Sequence, residues 1–167
     1  VIRSLYDKPQ FYVEIEGVKS RVAQQSTGIR QGCPLSPYLF IMVMDRIFKV
    51  IPEIAKEHKN KVRIQKRKQE GVVKSFNALL YADDTLLCDD TVKETQALLW
   101  AVEEASGIFG LGLNKKKCQV IAIDKQEHEE MKFLDGTTVP KVTEAEYLGG
   151  ILHHKADSKA EIAKRIG

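Results

Sequence analysis

Several features that would narrow the class of this chain at once are scarce or missing in its sequence. Its 167 residues contain three cysteines, Cys33, Cys88 and Cys118, which lie far apart and form no C-x-x-C pair. They indicate neither a disulfide framework nor a zinc site, so we interpret them as small packing residues in an intracellular protein, whether nuclear or cytoplasmic. No apolar run reaches the roughly 18 residues of a membrane span, and the chain does not open with a signal-peptide pattern. We therefore expect no membrane role.

A strong overall charge is also missing, since the formal net charge is only +3. The length and the 43% hydrophobic content are those of a single globular domain. Basic residues are concentrated in one run, 56–68, where seven Lys or Arg stand against one Glu. This run either follows nucleic-acid phosphates or forms a solvated surface insertion, because no aromatic residues are interleaved for base stacking.

The first third of the chain reads as strands, a loop and a helix. Residues 11–24 alternate apolar and polar side chains around Gly17, which predicts two short strands joined by a turn. The loop "STGIRQGCPLSP" follows, and its Ser36-Pro37 pair is a good helix start. Apolar residues at spacings of three and four then predict a helix with one apolar face that ends near Pro52.

The remainder alternates strand and helix patterns. "FNALLYADDTLLCDD" predicts a hairpin with strands 75–82 and 85–88 and a turn at Asp83 and Asp84. Thr91 and Glu94 form a capping-box pattern before a helix that ends around the glycines Gly107, Gly110 and Gly112. Further strands are predicted at 117–123 and 145–152, with a hairpin at 133–139 that turns at Asp135-Gly136. Because no regular β-α-β repeat occurs, we expect an α+β fold with a largely antiparallel sheet.

The adjacent acids Asp83 and Asp84 carry the clearest chemical signal. Two neighbouring carboxylates repel one another and oppose burial unless a cation relieves the repulsion. Oxygen-rich sites of this kind favour Mg²⁺ or Mn²⁺, which predicts metal-assisted phosphoryl or nucleotidyl transfer. An Asp-Asp pair is also common in solvated turns, but a solvated turn does not need the apolar "ALLYA" and "LL" that flank these acids.

Four motifs in order resemble the reverse transcriptase family, and their wording is similar to the non-LTR, LINE-type retrotransposon branch. They are "GIRQGCPLSPYLF" at 28–40, "YADD" at 81–84, "GLGLNKKKCQVI" at 110–121 and "YLGGIL" at 147–152. The resemblance implies a polymerase palm-type antiparallel sheet backed by helices over residues 1–155, incomplete at its N-terminus, and the start of a thumb-like helix over 156–167. It implies an RNA-directed DNA polymerase whose partners are an RNA template, a DNA primer and deoxynucleoside triphosphates.

The resemblance also implies a role for individual residues. Asp83 and Asp84 would bind Mg²⁺ or Mn²⁺, and Lys117 of the N-x-x-K pattern would approach the triphosphate and protonate the leaving pyrophosphate. The neighbouring Lys116 is set aside on spacing alone. Nucleotide and template contacts would come from Arg30, Gln31 and Gly32, and primer contacts from Tyr81, Ala82, Tyr147, Leu148 and Gly149.

The family pattern needs a further carboxylate on an earlier strand, for which neither Asp7 nor Asp45 is a replacement. We therefore expect a fragment that lacks the N-terminal part of the same polymerase, is inactive alone, and exposes the apolar arm of its hairpin to a partner strand. Two alternatives stay open. One is a catalytically dead retroelement remnant that binds nucleic acid or protein, and the other is a palm polymerase that makes RNA from an RNA template.

Overall fold

The structure is a computed structural model that describes residues 2–30, 32–62, 78–81, 84–123 and 129–155. The chain divides into two compact units, Val1–Met42 and Val43–Gly167, and each is described by itself. The predicted thumb-like helix at 156–167 and residues 63–68 of the basic run lie outside the described residues. Within the described part, mixed helices and small antiparallel sheets agree with the predicted α+β class.

The first unit is built around one twisted hairpin. A short helix α1, Ile2–Leu5, precedes strands β1 (Gln10–Phe11), β2 (Glu14–Ile15), β3 (Val18–Lys19) and β4 (Ala23–Gln24). β2 pairs with β3, and β1 pairs with β4, both antiparallel. Between β2 and β3, Glu16 and Gly17 both have positive φ, as a type I′ turn requires. The predicted strands and their turn at Gly17 are confirmed, although each arm is split into two short strands.

Helix α2, Ser36–Val62, begins where predicted but ends ten residues later than predicted. The predicted end near Pro52 was wrong. Proline removes one helical hydrogen bond and its ring crowds the preceding turn, at a cost of about 3 kcal/mol. Beyond Pro52, however, Ala55 and His58 are buried at 6% and 5% exposure. Packing of this second half offsets the cost of the proline, and a local sequence rule does not include that packing.

Helix α3, Val92–Ile108, forms the core of the second unit together with α2. Thr91 caps it, because its hydroxyl oxygen accepts the amide of Glu94 at 3.2 Å, and the helix ends one residue after Gly107. Both predictions are confirmed. One hydrophobic cluster joins the two helices through Ile47, Ile51, Ala55, Leu98, Ala101, Val102 and Ala105.

A second hydrophobic cluster joins α3 to the segment 131–139 through Leu99, Met131, Phe133 and Val139. Hydrogen bonds from two side chains of α3 to the backbone of Lys132 also hold this segment against the helix. The Gln96 amide donates to the Lys132 carbonyl at 2.6 Å and accepts the Lys132 amide at 2.7 Å, while the Trp100 indole N–H donates to the same carbonyl at 2.8 Å. These side-chain hydrogen bonds satisfy both backbone groups of Lys132, so the segment is held without a regular sheet.

Two hairpins complete the described second unit. β5 (Ala78–Tyr81) pairs antiparallel with β6 (Asp84–Leu87), and β7 (Glu144–Tyr147) pairs antiparallel with β8 (Gly150–His153). The single strand predicted at 145–152 was wrong, because Leu148 and Gly149 both have positive φ and form a type I′ turn. The turn predicted at Asp135-Gly136 is confirmed by the Gly136 amide, which donates to the Phe133 carbonyl at 3.0 Å.

The strand predicted at 117–123 was also wrong. Only Val120 forms a bridge there, to Lys141, and the Val120 amide donates to the Pro140 carbonyl at 2.9 Å. Pro140 has no N–H, so the ladder cannot extend through it. Among the described residues, no helix is both long enough and apolar enough to cross a membrane.

Candidate functional site

The end of the β5–β6 hairpin carries the part of the acidic motif that the structure describes. Tyr81 and Asp84 face one another as the last antiparallel pair, and Leu87 at the other end of β6 packs into both hydrophobic clusters. The base of the hairpin is therefore anchored in the core while its end is open. Tyr81 is 64% exposed and Asp84 is also exposed.

The structure corrects the predicted position of one acid. Asp84 is not in the turn but pairs with Tyr81 as the first residue of β6, so the second strand is Asp84–Leu87 and not 85–88. The predicted first strand, 75–82, is described only as Ala78–Tyr81. Ala82 and Asp83 lie outside the described residues.

The described side chains meet part of the requirements of a divalent metal site. The exposed carboxylate of Asp84 has the oxygen chemistry that Mg²⁺ and Mn²⁺ prefer. Across the described ranges, no three His, Cys, Asp or Glu residues come together as a possible metal cluster. Asp45 is engaged elsewhere, in an ion pair with Lys49 at 2.6 Å. The donor type therefore fits the metal, while the described residues alone do not complete a two-ion site.

The predicted nucleotide-binding loop lies in the first unit. Gly28 and Gly32 have φ of +84° and +80°, a backbone conformation that residues with a Cβ rarely adopt. Gln25 supports the start of the loop, since its side-chain amide nitrogen donates to the carbonyls of Thr27 and Ile29. Arg30 is half-buried and Gly32 is exposed, whereas Gln31 lies outside the described residues.

The start of α2 closes this loop. The hydroxyl of Ser36 lies 3.0 Å from that of Tyr6, and Ser36 is buried.

Of the three cysteines, Cys33 in this loop and Cys118 are half-buried, but Cys88 is exposed, so its predicted packing role was wrong. Cys88 follows directly after β6, at the point where the chain leaves the sheet for the Thr91 cap.

Lys117 lies in a tight turn that begins at Asn114. The amides of Lys117 and Cys118 donate to the Asn114 carbonyl at 2.9 and 3.2 Å. Lys116 and Lys117 are exposed, and they border a pocket of about 550 Å³. The pocket is lined by Lys116, Lys117, Gln119, Glu144, Ala145, Glu146 and Ile151.

This pocket borders two predicted site segments. Lys117 and the strands of the β7–β8 hairpin line it, whereas Tyr147, Leu148 and Gly149 are not among its lining residues. The turn of that hairpin presents Leu148, which is 52% exposed and has a positive φ, next to Gly149, while Tyr147 is half-buried. A non-glycine residue in the left-handed region is strained, and such strain is concentrated at functional sites.

Lys115 has contacts that the sequence does not predict. Its ammonium lies 2.7 Å from a Glu103 carboxylate oxygen and 2.8 Å from one of Asp135, and 4.9 Å above the centre of the Phe133 ring. In the sequence it is only the first of three lysines. The available signal was Asp135 in the predicted Asp-Gly turn, but nothing in the sequence indicates that this turn lies beside residue 115.

Known proteins are similar to this chain over most of its length. The chain matches the family described as reverse transcriptase (RNA-dependent DNA polymerase) over residues 1–152. It is 32% identical over 121 residues, 72% of this chain and 10% of the relative, to a retrovirus-related Pol polyprotein from the type-2 retrotransposable element R2DM of Drosophila melanogaster. It is 31% identical over 119 residues, 71% of this chain and 10% of the relative, to a retrovirus-related Pol polyprotein from the type-1 retrotransposable element R2 of Nasonia vitripennis.

The chain thus spans about a tenth of the length of the curated relatives it matches. The matched family range includes the loop motif, the acidic hairpin, the lysine turn and the β7–β8 hairpin. The family and the non-LTR retrotransposon branch predicted from the four motifs are confirmed. This chain belongs to the reverse transcriptase family.

Proposed function

We propose that this chain is part of an RNA-directed DNA polymerase that adds deoxynucleotides to a primer 3′ hydroxyl under the direction of an RNA template. The observation that carries the proposal is the end of the β5–β6 hairpin, where exposed Asp84 faces exposed Tyr81 on a base anchored in the core. A rigid hairpin that ends in an acid and an aromatic side chain suits a site that must hold a primer terminus against a metal-bound triphosphate.

In this proposal Asp83 and Asp84 hold Mg²⁺ or Mn²⁺. Activation of the 3′ hydroxyl and neutralisation of the leaving pyrophosphate are the chemistry that two bound ions supply in such sites. Tyr81 and Ala82 lie under the last primer nucleotide, so the ring of Tyr81 provides an apolar surface beside the carboxylate. The protein thus contributes position and negative charge rather than covalent chemistry.

The other motifs hold the substrates. Arg30, Gln31 and Gly32 bind the incoming nucleotide and template, because a glycine backbone allows close approach and the arginine supplies positive charge. Lys117 donates a proton to the pyrophosphate. Tyr147, Leu148 and Gly149 support the primer strand, and the position of their hairpin across the pocket from Lys117 supports a common role. We further propose that residues 1–155 are palm and 156–167 the start of a thumb.

Primer extension on an RNA template with a DNA primer and Mg²⁺ tests the proposal. It is measured with the chain alone and with the chain joined to its upstream coding sequence. We expect extension to be abolished by Asp83→Asn or Asp84→Asn, and we expect Asp90→Asn, an exposed acid six residues further along, to leave the rate unchanged. Equal activity of Asp84→Asn and Asp90→Asn would refute the proposed site, and preferential use of ribonucleotides would refute the DNA product.

A second candidate function is a catalytically dead module that binds nucleic acid or protein. It is favoured by the fact that the described residues offer no three-carboxylate cluster. Under this alternative, the form joined to upstream sequence shows no extension with either nucleotide, while both forms still bind an RNA–DNA duplex with a strong dependence on salt.

A further inference from the structure

The ammonium group of Lys115 is tied to three partners that belong to two other segments of the second unit. Glu103 comes from α3, and its side chain is only 14% exposed. Asp135 comes from the Asp-Gly turn, and the Phe133 ring under the ammonium is 2% exposed in the second hydrophobic cluster. Ion pairs with good geometry and an aromatic face combine charge with fixed direction.

Each acidic partner of Lys115 is itself held in place. The second carboxylate oxygen of Glu103 accepts the Leu134 amide at 2.8 Å. The second oxygen of Asp135 accepts the hydroxyl of Thr137 at 2.6 Å and its amide at 3.0 Å. The hydrogen bonds that Lys115 donates to Asp135 and to Glu103 raise the pKa of Lys115, and the bond from Lys115 lowers the pKa of Asp135, so both groups stay charged. We call Lys115 and these partners the anchor, and their hydrogen bonds restrict the position of the Lys115 ammonium.

Lys115 occupies the second position of the turn that presents Lys117. Among the described backbone bonds, the amides of Lys117 and Cys118 donate to the Asn114 carbonyl, and the Lys115 amide donates to the Leu113 carbonyl at 3.0 Å. Lys116 and Lys117 are exposed and line the pocket with Glu144 and Glu146, whereas Lys115 is half-buried and is not among the lining residues. A side chain fixed in the middle of a short turn restricts the backbone on both sides of it.

We infer that Lys115 is a positioning residue that locks the Asn114–Lys117 turn through Glu103, Asp135 and the Phe133 ring, and thereby directs Lys117 toward the triphosphate of the incoming nucleotide. The inference rests on the proposed function for the role of Lys117. It assigns the three adjacent lysines different tasks, with the first as the anchor and the third as the group that meets the anion.

Amide hydrogen exchange tests the anchor without any need for activity. In Lys115→Met, which keeps the length of the side chain, we expect the amides of Lys117 and Cys118 to exchange about tenfold faster because local opening costs less. Lys116→Met is the matched control and leaves both rates unchanged. Lys115→Arg restores most of the protection. Unchanged protection of the α3 amides shows that each variant is folded. If Lys115→Met does not fold, Asp135→Asn is used instead, because it removes one of the two ion pairs of Lys115.

Binding of inorganic tripolyphosphate tests the connection to Lys117. We expect Lys117→Met to weaken binding by about tenfold and Lys115→Met by about threefold, and the double variant to bind no more weakly than Lys117→Met, because a residue that acts only through Lys117 has nothing further to remove.

The outcomes separate the inference from the proposed function. Unchanged exchange at Lys117 and Cys118 in Lys115→Met overturns the inference whatever the binding result. Losses that multiply in the double variant also overturn it, since Lys115 would then contact the anion directly. Faster exchange together with unchanged tripolyphosphate binding in Lys117→Met supports the anchor and refutes the proposed role of Lys117.

Discussion

Replacing Pro52 by alanine should stabilise the protein. Pro52 is an exposed residue inside α2, with the buried residues Ile51 and Ala55 on either side of it. Its missing N–H leaves one helical carbonyl without its partner, and its ring crowds the preceding turn. Because Pro52 is exposed, alanine removes the penalty and loses little packing.

The size of the effect follows from helix energetics. Proline is about 3 kcal/mol less favourable than alanine in a helix interior. Part of that difference is already absorbed by the shape of the helix, so we expect the free energy of unfolding to rise by about 1–3 kcal/mol. In a chain of this size, each kcal/mol raises the melting temperature by about 2–4 °C.

Urea and thermal unfolding, followed by the far-ultraviolet circular dichroism of the helices, measure this change. Pro37→Ala is the matched control, because Pro37 lies in the first turn of the same helix, where its missing N–H would have no helical partner. Its effect should stay within about 0.5 kcal/mol. A Pro52→Ala variant that is less stable than the original protein would refute the reasoning, since it would mean that α2 needs the proline to continue.

Three further predictions concern the core, a turn and a charge. Ile47→Ala, at a residue that is 1% exposed, should lower the free energy of unfolding by about 2–5 kcal/mol. Ile41→Ala, at an exposed position of the same helix, should lower it by less than about 0.5 kcal/mol. Equal losses of the two variants in urea unfolding would contradict the described core. Gly149→Ala should destabilise the β7–β8 turn by about 1 kcal/mol because its φ is +80°, whereas Gly107→Ala inside α3 should stabilise by about 0.5–1 kcal/mol; melting temperatures that shift in the same direction would refute this. Asp135 has a pKa lowered by Lys115 and Thr137, so its contribution is present above its unfolded pKa of about 3.9 and is lost as the pH falls toward the lower folded pKa. The stability difference between the protein and Asp135→Asn should therefore shrink below about pH 4, and a difference that is constant from pH 7 to pH 2.5 would contradict the anchor.

Where several local signals agreed, the sequence was sufficient to predict the element. For α3, a capping residue, an apolar stripe and a terminal glycine all pointed to one helix, and its observed ends match. The N-terminal hairpin has the same consistency, since the alternation of its strands and Gly17 in its turn indicate one register. Agreement between levels is what makes a local prediction reliable.

The errors arose where a distant contact competes with a local rule. Pro52 predicted a helix end, but the hydrogen bond of 2.8 Å between buried His58 and Glu104 holds the continued helix on α3. At 145–152, Leu148 occupies a left-handed position for which the sequence gives no signal, so a hairpin was taken for a strand. In the first case the deciding contact is far away in the sequence. In the second case the deciding feature is a backbone conformation that leucine rarely adopts.

The candidate site was predicted by its motifs rather than by its geometry. The order of the loop, the acidic pair, the lysine turn and the final motif is sufficient to predict the family. The neighbours of Lys115 and the pocket between Lys117 and the β7–β8 hairpin could not be predicted, because they depend on how residues 131–139 pack against α3.

Nuclear magnetic resonance with Mn²⁺ tests whether the end of the β5–β6 hairpin binds a divalent metal. Paramagnetic Mn²⁺ broadens the signals of nearby nuclei, and the experiment needs neither a primer nor a complete polymerase. We expect selective broadening of the Tyr81 and Asp84 amides, with Asp90 unaffected, and loss of that broadening in the double variant Asp83→Asn/Asp84→Asn. Equal broadening at Asp90, or broadening that persists in the double variant, would contradict this expectation.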